Sequence, residues 1–358
     1  MKNIPSPSGE RLPVEILGAT GMVGQHLITR LTEHPWFRIE ALKASERSAG
    51  KRYGDTVDWA LPQPIPRDIA QMEVLACEPS LPGRIALSGL DADIAGPIEE
   101  QFAEFGYPVV SNARNHRFDP DVPLLIPEVN RDHLAIIAHQ RFAVGCIITN
   151  PNCSTVGITM ALKPLQDAFG VEAADIVTLQ AASGAGNRPG VSSLRLIDNT
   201  IPFIAGEEEK IQTEPKKILG TYRDGVIRPA EMAISAQCNR VPVRDGHTAC
   251  VKVALRTRAS LESVMAAFES YGSPLKELEL PSAPDHPLIV HHHPAHPQPY
   301  FHRDLEDGMA ASVGRIQPCG VLDYKFVVLS HNTVRGAAGA AILNAELLVR
   351  TALSQAIR

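Results

Sequence analysis

A short apolar run, Val14-Glu-Ile-Leu17, leads straight into Gly18-Ala-Thr-Gly21-Met-Val-Gly24 and then into a helix-like stretch at residues 22–31. Glycines at a strand-to-helix turn reach backbone angles closed to other residues, and they let a pyrophosphate approach the main chain. The first amides of the helix, with its dipole, then supply donors for the anion. The spacing is GxxGxxG rather than GxGxxG, so the position after a strand and before a helix carries the reading. It predicts a nicotinamide dinucleotide held by Gly18, Ala19, Thr20, Gly21, Met22 and Val23. The segment after the second predicted strand, Ser45-Glu-Arg-Ser-Ala-Gly-Lys51, selects among dinucleotides. Ser45, Arg47, Ser48 and Lys51 suit a ribose 2′-phosphate, and Glu46 opposes it if its side chain turns inward. NADP is the expected cofactor.

Apolar runs at residues 39–42, 73–76, 85–87, 108–111 and 124–126 follow, with a helix expected at 97–105 whose proline falls in the first turn. Short strands alternating with helices point to a doubly wound parallel sheet. A length of 358 residues suits two domains at roughly 100–200 residues each. The pattern changes near residues 146–152. Beyond it lie a helix at 156–169, strands at 174–181 and 249–255, and a helix at 260–271. A proline- and histidine-rich excursion occupies 280–299, and one long helix is expected at 333–354.

Hydrophobic residues at 44% and charged residues at 21% exclude a disordered chain. The net charge of −6, without a basic block, excludes the electrostatic footprint of a nucleic-acid or anionic-membrane binder. No run approaches the ~18 apolar residues of a membrane span. Residues 1–9 lack the apolar centre of a signal peptide. A cytoplasmic protein is expected.

Six cysteines without a CxxC pair support neither a disulfide framework nor a thiolate zinc site. One stands apart. Asn150-Pro-Asn-Cys153-Ser-Thr155 sets a thiol at a turn between a strand and an apolar helix. A helix N-terminus should lower its pKa, while Asn152 and nearby amides are placed to donate to an oxyanion. A thiolate beside a nicotinamide suits acylating aldehyde oxidation, in which sulfur adds, hydride leaves and a thioester remains.

These blocks resemble the aspartate-β-semialdehyde dehydrogenase family, in its archaeal and fungal branch. The resemblance spans nearly the whole chain. It continues through Pro127-Glu-Val-Asn130, Gly206-Glu-Glu-Glu-Lys210, Asn239-Arg-Val-Pro-Val-Arg-Asp-Gly-His247 and Ser330-His-Asn-Thr-Val-Arg-Gly-Ala-Ala-Gly339. It implies an α/β fold, with a Rossmann-type domain at 1–148 completed by helix 333–358. The α+β catalytic and dimerisation domain at 149–332 would carry a mixed sheet. It further implies Cys153 as nucleophile, His247 as general acid/base and Gln180 as the residue orienting the substrate. Arg240 would grip the α-carboxylate, Arg117 would bind phosphate, and Asn332, Ser183 and Gly184 would lie at the cofactor.

Two Glu-x-x-Lys pairs compete for the remaining roles. Glu214 would face the substrate amine and Lys217 the phosphate, or Glu207 and Lys210 would share those tasks. The implied reaction joins L-aspartate 4-semialdehyde, inorganic phosphate and NADP⁺ to 4-phospho-L-aspartate and NADPH, through a cysteinyl thioester. It feeds lysine, methionine and threonine synthesis, in a homodimer or homotetramer.

Arg240 and His247 share a face only if the Asp245-Gly246 turn resets the strand direction. Pro215 requires the helix around it to begin or bend there. His291-His-His-Pro-Ala-His296 holds four histidines in six positions, but no acidic or cysteine partner is spaced nearby, so the segment reads as an exposed loop and no metal is assigned. An N-acetyl-glutamyl-phosphate reductase, a malonyl- or succinyl-CoA reductase and a non-catalytic NADP sensor remain as rivals. A CoA assay separates the thioester reductases.

Overall fold

The computed structural model describes residues 10–80, 85–185 and 196–356. The reading of residues 1–9 lies outside them. The first sheet is wholly parallel and comprises β1 (Leu12–Leu17), β2 (Phe37–Ala44), β3 (Val74–Ala76), β4 (Ile85–Ser88), β5 (Pro108–Ser111) and β6 (Cys146–Thr149). Its order is β3-β2-β1-β4-β5-β6. The strand order reverses beside β1, which is where such sheets take ligands. Every residue of β4, β5 and β6 is buried, which explains why these strands are short unbroken apolar runs.

Helix α1 (Met22–Leu31) follows the glycine turn, and α2 (Ala92–Phe105) joins β4 to β5. Helix α2 starts before the expected 97, so Pro97 lies inside it and not in the first turn. The missing N–H removes one ladder bond, and the buried Ala95, Phe102 and Ala103 hold the helix regardless. The strand expected at 124–126 is absent. Leu124 makes one isolated bridge to Thr149. The Asn130 side chain accepts from the Ile126 N–H and donates to the Leu124 carbonyl, so beyond the single bridge to β6 a side chain satisfies this backbone.

Helix α3 (Cys153–Phe169) crosses to the second sheet, whose first strand is β7 (Val171–Gln180). Then come α4 (Glu207–Ile218) and the hairpin β8 (Thr221–Arg223) with β9 (Val226–Arg228). The remaining elements are β10 (Ala233–Arg240), β11 (His247–Leu255), α5 (Leu261–Glu269), β12 (Leu288–His291), α6 (Pro299–His302), β13 (Ala311–Pro318) and β14 (Tyr324–Ser330). The sheet runs β10-β7-β11-β14-β13-β12 and is mixed: β10–β7 and β12–β13 are parallel, the other pairs antiparallel. Val156, Met160, Leu162 and Leu165 of α3 pack with Ile176, Val251, Phe326 and Val328 into one core. The 280–299 stretch is not all loop, because Leu288-Ile289-Val290 pairs with β13 as an edge strand.

The helix expected at 333–354 begins as a π-helical turn, Val334–Ala338, before α7 (Gly339–Ala356). A Cβ on Gly336 would come within 2.7 Å of Cys153 Cβ, so this turn is shaped by its packing on the start of α3. Ala341, Ile342, Ala345 and Val349 share a core with β1 and β2, and so α7 returns to cover the first sheet.

Candidate active site

Three strand ends and one helix start converge. In the ladder Arg240 pairs with Gln180, and Thr248 pairs with Leu179, so His247 and Arg240 flank Gln180 from the two neighbouring strands. The condition on the Asp245-Gly246 turn is met: Gly246 adopts φ +100°, and β11 runs back antiparallel to β7. Convergence is close. A Cβ on Gly184 would lie 2.8 Å from Arg240 Nη1 and 3.0 Å from His247 Nε2.

Cys153 Sγ lies 3.2 Å from His247 Nε2. The Ala181 N–H donates to His247 Nδ1 at 3.0 Å, which assigns the ring proton to Nε2, facing sulfur. Desolvation pushes the thiol up to about 12, and the Glu207 carboxylate adds to the rise against Arg240, Lys210 and Arg117. Burial, then Arg240, pushes His247 down to about 3. The expected low thiol pKa is therefore not met. Burial works against the charged form of both groups, and so favours a neutral thiol beside a neutral imidazole in the free protein.

Asn152 caps α3, its Oδ1 accepting from the amides of Ser154 (2.9 Å) and Thr155 (3.4 Å). Its own donors are engaged as well, the N–H by Glu214 Oε2 at 2.7 Å and Nδ2 by both Glu207 oxygens at 2.9 and 3.0 Å. Asn152 and the amides of Ser154 and Thr155, expected as oxyanion donors, are thus already engaged within the protein.

Glu207 also accepts from Gln180 Nε2 at 3.2 Å and Lys210 Nζ at 2.7 Å. Burial works against its charge, but Lys210 and the hydrogen bonds hold the carboxyl below its usual range. Arg240 Nη1 donates to the Ala181 carbonyl at 2.8 Å.

The second Glu-x-x-Lys pair does something else. Lys217 Nζ donates to the carbonyls of Arg117, Asp119 and Val122 at 2.8, 2.9 and 2.8 Å. An ammonium has three donors, so Lys217 holds a loop together and has none for phosphate. Glu214 is fully buried, bound to Arg117 Nη1 (2.7 Å) and the Asn152 amide, and does not face a substrate amine. Arg117 in turn gives Nη2 to the Asn112 carbonyl at 2.8 Å and is itself buried, so it braces this loop where an open phosphate ligand was expected. Pro215 does not start α4, because the helix begins at Glu207 and runs through the proline to Ile218.

Gly18 sits at φ +76°, where a Cβ would meet Gly89 O at 2.8 Å, and a Cβ on Gly24 would meet Gly18 O at 2.4 Å. Only glycine allows α1 to start this close to β1 and β4. Gly21 caps α1 without a side-chain hydrogen bond, and Met22 and Val23 open the helix. Ala19 is buried, its carbonyl accepting from Tyr53 OH at 2.9 Å, and Thr20 is half-buried at the turn. Beyond β2, Ser45, Arg47 and Lys51 are exposed, and so is Glu46. Ser48 departs from expectation: it is buried and accepts from Thr56 Oγ1 at 3.3 Å. Asn332 links two segments, with Nδ2 donating to Ser183 Oγ and Oδ1 accepting the Gly246 N–H, both at 2.8 Å.

Two arrangements escaped the sequence reading. Arg335 and Glu128, both fully buried, form a two-pronged ion pair between blocks 207 residues apart. Asn150 donates to Asn112 Oδ1 and the Ala337 carbonyl and accepts from Asn344, joining the cysteine turn to the C-terminal segment. A charged residue inside a Gly/Ala run, as at Arg335, is the one signal that marks such a position.

A doubly wound sheet with a glycine turn, joined to a mixed sheet that sets a cysteine against a histidine, defines a two-part dehydrogenase of the thiol type. Residues 13–137 match the model of the semialdehyde dehydrogenase NAD binding domain, and residues 162–335 that of the semialdehyde dehydrogenase dimerisation domain. The chain is 48% identical to an aspartate-semialdehyde dehydrogenase of Archaeoglobus fulgidus, over 95% of its own length and 98% of the relative's. It is also 48% identical to that of Schizosaccharomyces pombe, at the same coverages. The Candida albicans enzyme, solved with NADP, superposes with a TM-score of 0.88 at 42% identity, covering 96% of this chain and 99% of that one. The chain belongs to the aspartate-semialdehyde dehydrogenase family, and the archaeal and fungal likeness read from its motifs is borne out.

Proposed function

We propose that this protein interconverts L-aspartate 4-semialdehyde plus phosphate with 4-phospho-L-aspartate, using NADP and a thioester on Cys153. The observation that carries the reading is the 3.2 Å approach of Cys153 Sγ to His247 Nε2, with Gln180 and Arg240 alongside. The Gly18–Gly24 cradle, the uncapped start of α1 and the exposed Ser45, Arg47 and Lys51 fit a dinucleotide bearing a 2′-phosphate. When bound, the nicotinamide donates or accepts the hydride.

In the reductive direction the Cys153 sulfur displaces phosphate from the acyl phosphate, and the thiol proton leaves on the phosphate. Reduction of the resulting thioester gives a hemithioacetal alkoxide, and its collapse releases the aldehyde and leaves charge on sulfur, which takes up a proton to restore the thiol. His247, expected as the general acid/base, accepts the Ala181 N–H at Nδ1 and so holds its proton at Nε2, where it hydrogen-bonds the developing negative charge in both steps. Arg240 presents a planar fork to the α-carboxylate. Glu207 meets the substrate ammonium and Lys210 the phosphate, the choice supported by the internal engagement of Glu214 and Lys217. Gln180 orients the substrate next to Glu207. Ser183, Gly184 and Asn332 border the nicotinamide end.

The proposed domains are 1–148 with 333–358, and 149–332. A homodimer or homotetramer in the cytoplasm completes the reading. No helix among the described residues is long and apolar enough to cross a membrane. The test is purified protein with NADP⁺ or NAD⁺, phosphate and the semialdehyde, and with NADPH and a panel of acyl phosphates and acyl-CoAs. Turnover should favour NADP by at least about tenfold, ~1.4 kcal/mol of barrier. Faster reduction of malonyl- or succinyl-CoA would overturn the substrate while leaving the thiol chemistry standing.

A further inference from the structure

The histidine-rich segment does not trail free of the fold. His291 is the last residue of β12, His302 the last of α6, and the connecting loop carries His296 between them. The loop lies tight on β13: a Cβ on Gly314 would meet the His296 carbonyl oxygen at 2.5 Å, and Gly314 is the ladder partner of His291. One glycine thus lets the loop settle over the strand that His291 pairs with. The ring centroids stand 5.7 Å apart for His291–His296, 4.5 Å for His291–His302 and 4.4 Å for His296–His302. One ligand nitrogen from each of the three rings lies within 4.8 Å of the others.

We propose that His291, His296 and His302 form a binding site for a borderline divalent transition metal of the zinc class, with a fourth position open to water. Imidazole donors without carboxylates select zinc, copper, nickel or cobalt over magnesium and calcium. Tetrahedral coordination at ~2.0–2.1 Å per bond brings ligand nitrogens to about 3.3 Å, so the rings close by rotating their side chains. Metal-bound imidazoles usually engage their second nitrogen with the protein. One such partner is present: His291 Nε2 lies 3.0 Å from Ser312 Oγ, whereas His302 Nδ1 meets both the N–H and the carbonyl of Gln298, at 2.9 and 3.0 Å.

The position gives the site a consequence. A Cβ on Gly246 would meet Pro299 Cβ at 3.2 Å and Arg303 Cβ at 3.3 Å, so α6 sits directly on the turn that precedes His247. A metal joining α6 to β12 braces that turn from outside the catalytic pocket.

The test uses tag-free full-length protein, stripped with chelator and titrated with Zn²⁺ and Co²⁺, with Mg²⁺ as control. One zinc per chain should bind and raise the melting temperature, and Mg²⁺ should do neither. His291→Ala, His296→Ala and His302→Ala should each weaken zinc binding by at least about tenfold. The cobalt form should show visible ligand-field bands without a thiolate charge-transfer band, which separates this site from the cysteines. Stoichiometric binding that survives His296→Ala with His302→Ala, a thiolate band in the cobalt spectrum, or no zinc bound beyond the level of the triple variant would each overturn the proposal.

Discussion

Helix α4 carries Glu-x-x-Lys twice, seven residues apart, at Glu207–Lys210 and Glu214–Lys217. Two helical turns keep both pairs on one side, yet they end in different surroundings. Near the start of the helix, Glu207 reaches Asn152 and Gln180, and Lys210 keeps part of its side chain in solvent. Nearer its end, Glu214 and Lys217 are buried and every contact they make ties the 112–122 loop or the cysteine turn in place. The same charge pattern therefore supplies a polar wall for a ligand in one place and an internal strut in the other. Local environment, and not residue type, sets the difference.

Substitutions can break this contrast, and Cys153→Ala sets the scale. It should remove at least about 10⁴-fold of turnover, ~5.5 kcal/mol, without changing NADP binding by titration. Glu214→Ala strands the Arg117 charge in a buried position and should lower unfolding free energy by about 3–5 kcal/mol in urea melts. Its kcat/KM per folded molecule should stay within about tenfold of the parent. Glu207→Gln should fall mainly on activity, dropping kcat/KM about 10²-fold, ~2.7 kcal/mol, with a smaller loss in the melt than Glu214→Ala. If those two phenotypes come out reversed, the roles assigned to the pairs are wrong.

The pH dependence of stability sharpens the picture by a smaller amount. His247 and His26 are pushed to about 3 and about 4 from an ordinary 6.5, chiefly by burial. Below 6.5 the unfolded chain binds protons that the folded one refuses, so stability is full above that pH and falls as pH drops toward 4. Each histidine should contribute a slope of about 1 kcal/mol per pH unit, read from urea melts at successive pH values. A flat profile would mean that these rings are solvated.

Much of the cofactor half was legible because a doubly buried parallel strand is an apolar run and a glycine turn has few other uses. The exceptions are instructive. Residues 124–126 look like a strand, but Asn130 does a strand's hydrogen bonding from a side chain. The Val334–Ala338 turn is set by Cys153 against Gly336, a contact that no local pattern encodes. In the site, Cys153, Gln180, Arg240 and His247 were legible as motif members, whereas the charge state of Cys153 was not. Helix position is written in the sequence, but desolvation depends on what the rest of the chain brings. Lys217 was misread for the same reason: three carbonyls from one remote loop decide its role. His302 stands outside the histidine run and joins it only through the fold.

The return of α7 to the first sheet has a consequence for the order of synthesis. Ala341, Ile342, Ala345 and Val349 cover strands made near the beginning of the chain. A ribosome releases the N-terminal segment first. The β1–β6 sheet therefore waits, with an apolar face bare, while the whole second sheet is translated. The nucleotide half is made before the second sheet and closes after it. A transcript cut short before Gly339 yields a sheet without its cover, a species destined for chaperones or aggregation and not a smaller working enzyme.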